Sequence, residues 1–145
     1  MKNWTIQRAM AEDAEPLAAC IDAAYASYKS DIPSLPDVSG GLDTDIRDHI
    51  VWVAVINARV IGGAVLVLDL EQAKLANVAV HPDQDGQGVG RALIEAVEAS
   101  ARKAGFSVLR LNTHIAMLRN IEFYKRLGWQ EIDRAGDTVR MTKSL

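Results

Sequence analysis

The sequence contains little of what would point to a secreted or membrane protein. It has one cysteine, Cys20, which excludes an internal disulfide and a cysteine-based zinc cluster. The longest apolar run, residues 60–68, is far shorter than the roughly 20 residues that a membrane-spanning helix needs. Residues 1–16 contain no apolar signal-peptide core. We therefore expect a cytoplasmic protein with no membrane partner.

An excess of positive charge is also missing. Lys and Arg number 16 against 19 Asp and Glu, so the net charge is -3. A non-specific nucleic-acid binder needs a basic surface, and we therefore expect no nucleic-acid partner. The hydrophobic content of 49% and the charged content of 24% are those of an ordinary globular protein. The length of 145 residues predicts a single domain over residues 1–145.

The spacing of the apolar residues predicts a mixed α/β domain. Alternating or continuous β-branched runs predict strands at residues 4–8, 51–56, 60–68, 75–80, 106–113, 129–134 and 138–142. Helical spacing predicts helices at residues 13–28, 89–104 and 117–127, with a further short helix near 43–49 beside the polar loop 30–45. Early strands, a strand–helix–strand centre and a closing hairpin are typical of that fold class.

The most informative segment is the turn from Asp85 to Arg91, which joins a predicted strand to an amphipathic helix. Its alternating glycines permit positive φ angles and close approach of a ligand. The first amides of a helix have no partner within it, and together with the helix dipole they attract anions, most often phosphate. The spacing matches neither a P-loop nor a dinucleotide fingerprint. On these residues alone, a turn that binds nothing stays an alternative.

Two segments together resemble the GNAT superfamily of N-acetyltransferases. Residues 78–105, VAVHPDQDGQGVGRALIEAVEASARKAG, are similar to its strand, V-x-P step, glycine loop and helix. Residues 112–129, NTHIAMLRNIEFYKRLGW, are similar to a subset with Thr-His, Met, Asn and Tyr before Leu-Gly-aromatic. The resemblance implies an α+β fold with a central, mostly antiparallel twisted sheet of about six to seven strands. Helices would flank this sheet, and a pair of its strands would splay apart at the acetyl-CoA site.

The resemblance implies acetyl-CoA as co-substrate and no metal. The pyrophosphate would rest on the glycine-loop amides, and the pantetheine arm would lie beside the strand that precedes the loop. The implied cofactor-binding residues are Val78, Ala79, Val80, Asp85, Gly86, Gln87, Gly88, Val89, Gly90, Arg91, Asn120 and Phe123. The family usually has Arg or Gln where this chain has Asp85. We expect that carboxylate to face water, where solvent and salt screen its charge. Many members also have Asn at the position of Met117.

The resemblance also implies the reaction, which is transfer of an acetyl group to a primary amine by direct attack in a ternary complex. Tyr124 matches the tyrosine that protonates the departing thiolate in many members; an aromatic at the edge of the core is the alternative. His114 has an intrinsic pKa suited to a general base, although a structural role is the alternative, and the base stays unassigned. Cys20, in the first helix, is badly placed to form an acyl-enzyme.

The acceptor is expected to be a small-molecule or peptide amine. The candidate substrate-binding residues are Tyr25, Tyr28, Asp31 and Asn77. The first three, with Asp37, Asp43 and Asp45, would form an acidic, aromatic rim suited to a cationic amine, and Asn77 could orient a water. Acidic residues that are simply solvated are the alternative. Homodimers are common in the family, so a homodimer is one state to test. The alternative function is a CoA or acyl-CoA sensor that has lost catalysis, which Asp85 and the missing base would favour.

Overall fold

Within the residues that the structure describes, seven strands form one sheet. The structure is a computed structural model that describes residues 3–32 and 39–145. The strands are β1 (Thr5–Arg8), β2 (Ile50–Ile56), β3 (Arg59–Leu68), β4 (Ala73–Val80), β5 (Val108–His114), β6 (Gln130–Ala135) and β7 (Thr138–Ser144). Their order is β1-β2-β3-β4-β5-β7-β6. Neighbours are antiparallel except β4 and β5, which are parallel. The predicted fold class is confirmed.

Helices cover both faces of this sheet. They are α1 (Ala14–Asp31), α2 (Leu42–Asp48), α3 (Val89–Lys103) and α4 (Leu118–Arg126). Leu17 and Ile21 of α1 belong to one apolar cluster, together with Leu42 of α2. Buried residues of α3 and α4 belong to a second, larger cluster. In the described part of the chain, no helix has the length and apolarity that crossing a bilayer requires.

Two adjacent glycines let the helices approach β3 from opposite faces. A Cβ on Gly62 would lie 2.9 Å from the carbonyl oxygen of Ala79 and 3.2 Å from Leu93 of α3. A Cβ on Gly63 would collide with Leu17 of α1. Because successive residues of a strand point to opposite faces, β3 is packed tightly between α1 and α3. Because β3 pairs with β4, this packing also fixes the first turns of α1 and α3 relative to β4.

The connections depart from the sequence predictions in a few places. The turn between β2 and β3 has two residues, not three: Asn57 (φ 47°) and Ala58 (φ 65°) both adopt positive φ, and Arg59 already belongs to β3. This is the geometry of a type I′ hairpin turn. Helix α1 continues three residues past the predicted end, to Asp31. Part of the predicted polar loop, with Asp37, lies outside the described residues.

Candidate active site

The parallel strands β4 and β5 separate after a short contact. They pair only at Ala73 with Leu109 and at Lys74 with Arg110. Both strands continue beyond these pairs, to Val80 and His114, and a cleft opens beside the last residues of β4. Opposite β3, the register shifts so that Asn77 faces Val65 and Leu75 faces Leu66, which leaves Ala76 as an extra residue. Such a bulge bends its strand, and here it lies just before the cleft.

The cleft has a volume of about 490 Å³. Its walls are the second half of α1, the end of β4, the loop and first turn that begin α3, and α4. The candidate site residues among its lining are Tyr25, Tyr28, Val78, Ala79, Val80, Asp85, Gly86, Gly88, Val89, Gly90, Arg91, Asn120, Phe123 and Tyr124. The fold therefore brings together, in one cavity, side chains that lie 100 residues apart in the sequence.

The glycine loop presents backbone amides to the cleft. Gly86 and Gly88 have φ angles of 79° and 81°, and Gly88 is the N-cap of α3. The first helical hydrogen bond runs from the amide of Ala92 to the carbonyl of Gly88 and measures 3.1 Å. Among the described residues, no protein group accepts a hydrogen bond from the amides between Gly88 and Arg91. These donors, at the positive end of the α3 dipole, can hold an anion.

The third glycine of the loop serves packing. A Cβ on Gly90 would lie 3.1 Å from Cζ of Phe123. Its φ is not positive, unlike those of Gly86 and Gly88. Gly90 therefore allows the ring of Phe123 to approach the first turn of α3. This contact closes the cleft between α3 and α4.

Charged side chains of both signs lie at the cleft. The carboxylate of Asp85 is solvent-exposed, as expected, although its residue lines the cleft. Arg91 lies beside Glu95, with 3.4 Å between guanidinium and carboxylate. Arg119 and Arg126 of α4 also line the cleft and are exposed. The cleft therefore has more cationic than anionic side chains.

Three tyrosines gather at the inner part of the cleft. Tyr124 is 6% exposed and packs against Trp129, with 5.8 Å between ring centroids. Burial raises the pKa of Tyr124 well above the usual value of a phenol, and the nearby Tyr25 and Tyr28 raise it further. Burial also raises the pKa of Tyr25 to about 12. The Tyr25 hydroxyl donates to Oδ1 of Asn77 on β4 over 3.4 Å. The phenols of Tyr25 and Tyr124 therefore stay neutral at physiological pH.

The sequence model of the acetyltransferase (GNAT) domain matches residues 47–131, which include β4, the glycine loop, α3, β5 and α4. The chain belongs to the GNAT acetyltransferase family. The predicted family, whose members are acyltransferases, is thereby confirmed. The matched segment contains the residues that form most of the cleft, whereas α1, which supplies Tyr25 and Tyr28, lies outside it.

Individual proteins that are similar to this chain are also named as N-acetyltransferases. The chain is 36% identical over 75 residues to an uncharacterized N-acetyltransferase of Methanocaldococcus jannaschii, a match that covers 52% of this chain and 33% of the relative. It is 35% identical over 75 residues to the ribosomal protein bS18-alanine N-acetyltransferase of Escherichia coli, covering 52% and 51%. These matches span about half or less of each relative. The crystal structure of the PaiA N-acetyltransferase of Thermoplasma acidophilum in complex with coenzyme A has the same fold, with a TM-score of 0.86, 21% identity and full coverage of both chains.

Four of the predicted site residues do not line the GNAT cleft. Nδ1 of His114 accepts a hydrogen bond from the amide of Ala116 over 3.0 Å, and its Nε2 lies 3.9 Å from Asp137. His114 is therefore held at the end of β5, beside the turn that precedes β7. Asn77 accepts a hydrogen bond from the Tyr25 hydroxyl but does not itself line the cleft. Asp31 and Gln87 are solvent-exposed and do not line the cleft either.

Several residues that line the GNAT cleft were not predicted from the sequence, namely Ala24, Ser27, Pro82, Gln84, Arg119 and Arg126. Helical spacing could have indicated some of them. Residues three or four apart share a helix face, so Arg119 and Arg126 fall on the same face as Phe123. Ala24 similarly precedes Tyr28 by four residues, and Ser27 follows Ala24 by three. No comparable local rule indicates Pro82 or Gln84.

Cys20 is unsuited to covalent catalysis in this GNAT fold. Its side chain is buried and does not line the cleft. Burial raises the pKa of the thiol to about 11, so at neutral pH the nucleophilic thiolate is scarce. Among the described residues, no group of three or more His, Cys, Asp or Glu side chains is arranged to hold a metal ion.

Proposed function

We propose that this chain is an acetyl-CoA-dependent N-acetyltransferase that transfers the acetyl group directly to a primary amine. One observation carries the proposal: the unpartnered amides of Gly88 to Arg91 open onto the same cleft as the buried Tyr124. Anion-binding donors at one end of the cleft and a neutral phenol at the other match two parts of acetyl-CoA, its diphosphate and its thioester. Membership of the GNAT family and the coenzyme A complex of the PaiA relative support the same co-substrate.

The residues present fit the coenzyme along the whole cleft. The amides of the first turn of α3 would hold the diphosphate, with Arg91 and Arg126 as cations nearby. Beyond the last β4–β5 pair, the β5-facing edge of β4 has no strand partner, and its peptide groups at residues 78–80 can bind the amides of the pantetheine arm. Asn120 and Tyr124 lie one helical turn apart on α4, so both can face that arm.

The transfer itself requires positioning and charge stabilisation. The amine nitrogen attacks the thioester carbonyl carbon, the carbon–sulfur bond breaks, and the electron pair leaves with sulfur. Backbone amides at residues 78–80 would stabilise the negative charge that develops on the carbonyl oxygen. Holding both reactants in line in one cleft supplies much of the rate enhancement.

Tyr124 would assist the departing sulfur. Because burial raises its pKa, the phenol keeps its proton throughout the physiological range. It can therefore donate a hydrogen bond to the thiolate as negative charge accumulates there. The raised pKa favours hydrogen bonding over complete proton transfer, since a thiol is ordinarily a stronger acid than a phenol.

Removal of the amine proton would depend on water or on the amine itself. Among the described residues that line the cleft there is no histidine, and Asp85, beside the glycine loop, is the only carboxylate. We therefore propose that the acceptor binds as the neutral amine and loses its second proton to water after attack. The proposal gives His114 no role as a base, because its contacts with Ala116 and Asp137 hold it at the end of β5, outside the cleft lining.

Calorimetry and turnover together test this function. We expect coenzyme A to bind the protein with one site per chain, and acetyl-CoA to be consumed when a suitable amine is added. Binding of acetyl-CoA without turnover over a broad amine panel would favour the sensor alternative. Absence of binding for both coenzymes would contradict both functions.

A further inference from the structure

The distribution of charge in the cleft indicates what the acceptor carries. Three arginines line the cleft, Arg91, Arg119 and Arg126, against the single carboxylate of Asp85 among the described residues. The chain as a whole has a net charge of -3. The cleft is therefore positively charged on a protein that is negatively charged overall. Such local reversal selects the charge of the molecules that enter.

Arg119 differs from the other two in its surroundings. Its guanidinium carbon lies 5.0 Å from the ring centroid of Tyr28, a cation–π contact that joins α4 to α1. Tyr28 lies 6.4 Å from Tyr25, and both phenols are close enough to Tyr124 to affect its ionisation. Arg119 therefore belongs to the tyrosine cluster at the reacting end of the cleft.

The coenzyme offers no partner for this cation. Its negative charges are phosphates. The proposed function assigns the diphosphate to the amides at the beginning of α3, where Phe123 contacts Gly90, and the 3′-phosphate is on the adenosine, on the far side of the diphosphate from the thioester. Arg119 precedes Phe123 by one turn of α4, roughly 6 Å along the axis, whereas Arg126 lies on the opposite side of Phe123. The pantetheine arm between diphosphate and thioester is uncharged. A guanidinium beside the tyrosine cluster thus has no anion to meet on the coenzyme.

The described part of the protein offers Arg119 no anion either. Within residues 3–32 and 39–145, no carboxylate lies within ion-pair distance of its guanidinium. The side chain is exposed, yet the Tyr28 ring holds it at the cleft. A guanidinium in this setting is suited to a carboxylate, which it can bind through two parallel hydrogen bonds.

We propose that Arg119 binds a carboxylate of the acceptor, so that the substrate is an amine that carries a negative charge. This inference rests on the proposed acetyl transfer. It reverses the expectation of an acidic rim for a cationic amine. Of the acids behind that expectation, Asp31, Asp43 and Asp45 do not line the cleft, and Asp37 lies outside the described residues. A diamine would bring its second cation to Arg119 and be repelled.

A matched series of acceptors tests the inference. Primary amines with chains of two to six carbons would carry a carboxylate, a carboxamide or a second ammonium group at the far end. Rates would be compared at equal concentrations of the neutral amine. We expect the carboxylates to exceed the carboxamides in kcat/KM by about 10- to 150-fold, the range for a hydrogen bond to a charged group, and the diamines to be poorest.

Two variants test whether Arg119 causes the preference for carboxylate acceptors. In Arg119→Gln the carboxylate advantage should disappear, while the carboxamide rates and the KM of acetyl-CoA stay within about twofold. Arg8→Gln is the matched control, because Arg8 also lies over an aromatic ring, 5.7 Å from the Trp52 centroid, but outside the cleft lining. It should leave the order of acceptors unchanged. A preference for diamines, or a carboxylate preference that survives Arg119→Gln, would overturn the inference. A raised KM for acetyl-CoA with unchanged acceptor order would do the same.

A binding measurement separates this inference from the proposed function. The N-acetylated carboxylates would be titrated into the protein–coenzyme A complex by calorimetry. Binding to the wild type that is lost in Arg119→Gln supports the carboxylate subsite even if no amine in the series is acetylated, an outcome that would count against the transferase proposal. No binding of any carboxylate to either protein would overturn the subsite, whatever the turnover of other amines.

Discussion

Removal of one backbone amide from the glycine loop would test the proposed phosphate site. Arg91 is exposed and lies in the first turn of α3, where its N–H has no partner among the described residues. Proline is tolerated in a first turn because the missing N–H is not needed there. Arg91→Pro therefore removes the amide and the guanidinium, and Arg91→Ala removes only the guanidinium. The difference between the two variants isolates the amide.

The expected loss of coenzyme A affinity follows from the two groups of residue 91 that the variants remove, its backbone amide and its guanidinium. A hydrogen bond to a charged acceptor contributes about 1.5–3 kcal/mol, so Arg91→Pro should bind coenzyme A about 10- to 150-fold more weakly than Arg91→Ala. The guanidinium is exposed and shares its charge with Glu95. Arg91→Ala should therefore cost no more than about 1 kcal/mol of binding free energy.

Calorimetric titration with coenzyme A measures both dissociation constants, and thermal unfolding checks that both variants keep the fold. Melting temperatures within a few degrees of the wild type are expected, since no helical hydrogen bond is lost. Equal dissociation constants for the two folded variants would refute the view that the amide of residue 91 binds phosphate.

Further predictions concern catalysis and packing. Tyr124→Phe should lower kcat about 10- to 100-fold with little change in coenzyme A affinity by calorimetry; an unchanged kcat would exclude the hydroxyl from the reaction. Because no histidine lines the described cleft, kcat/KM should rise tenfold per pH unit below the acceptor's own pKa, and the break should move with that pKa across different amines; a fixed break near pH 6–7 would indicate a protein base. Gly63→Ala should destabilise the fold by about 1–3 kcal/mol in denaturant titrations, because the new methyl group collides with the fully buried Leu17; unchanged stability would contradict the tight packing of α1 on β3. Ala58→Gly should stabilise it by about 0.5–1 kcal/mol, because alanine occupies a positive φ; a loss of stability would contradict the type I′ turn.

Local sequence patterns were sufficient to predict most of the helices and strands and the glycine loop. The glycines at residues 86, 88 and 90, placed between a strand and an amphipathic helix, predicted a turn with free amides because those properties depend on neighbouring residues. The end of α3 was predictable for the same reason, since Gly105 adopts a φ of 95° there. In the β2–β3 turn the second residue is Ala58 instead of the usual glycine, so the two-residue turn gave no clear signal.

The parts that sequence could not provide are contacts between distant elements. Histidine is a common general base, but pairing of β5 with β7 places the His114 ring beside Asp137. The neighbours of Arg119 depend on how α1 packs relative to α4, which brings Tyr28 under its guanidinium. The acidic residues after α1 suggested a cationic substrate, whereas the cleft itself is lined mainly by arginine charge. Only the fold decides which charges meet in the cleft.

The central claim is that the amides at the beginning of α3 bind the diphosphate of coenzyme A. The most direct test is titration of ¹⁵N-labelled protein with coenzyme A, with each backbone amide followed by NMR. The account predicts that the amide signals of Gly88, Val89, Gly90 and Arg91 shift most, and that pantetheine, which lacks the diphosphate, leaves them nearly unchanged. Large shifts elsewhere with these four amides unmoved would contradict it.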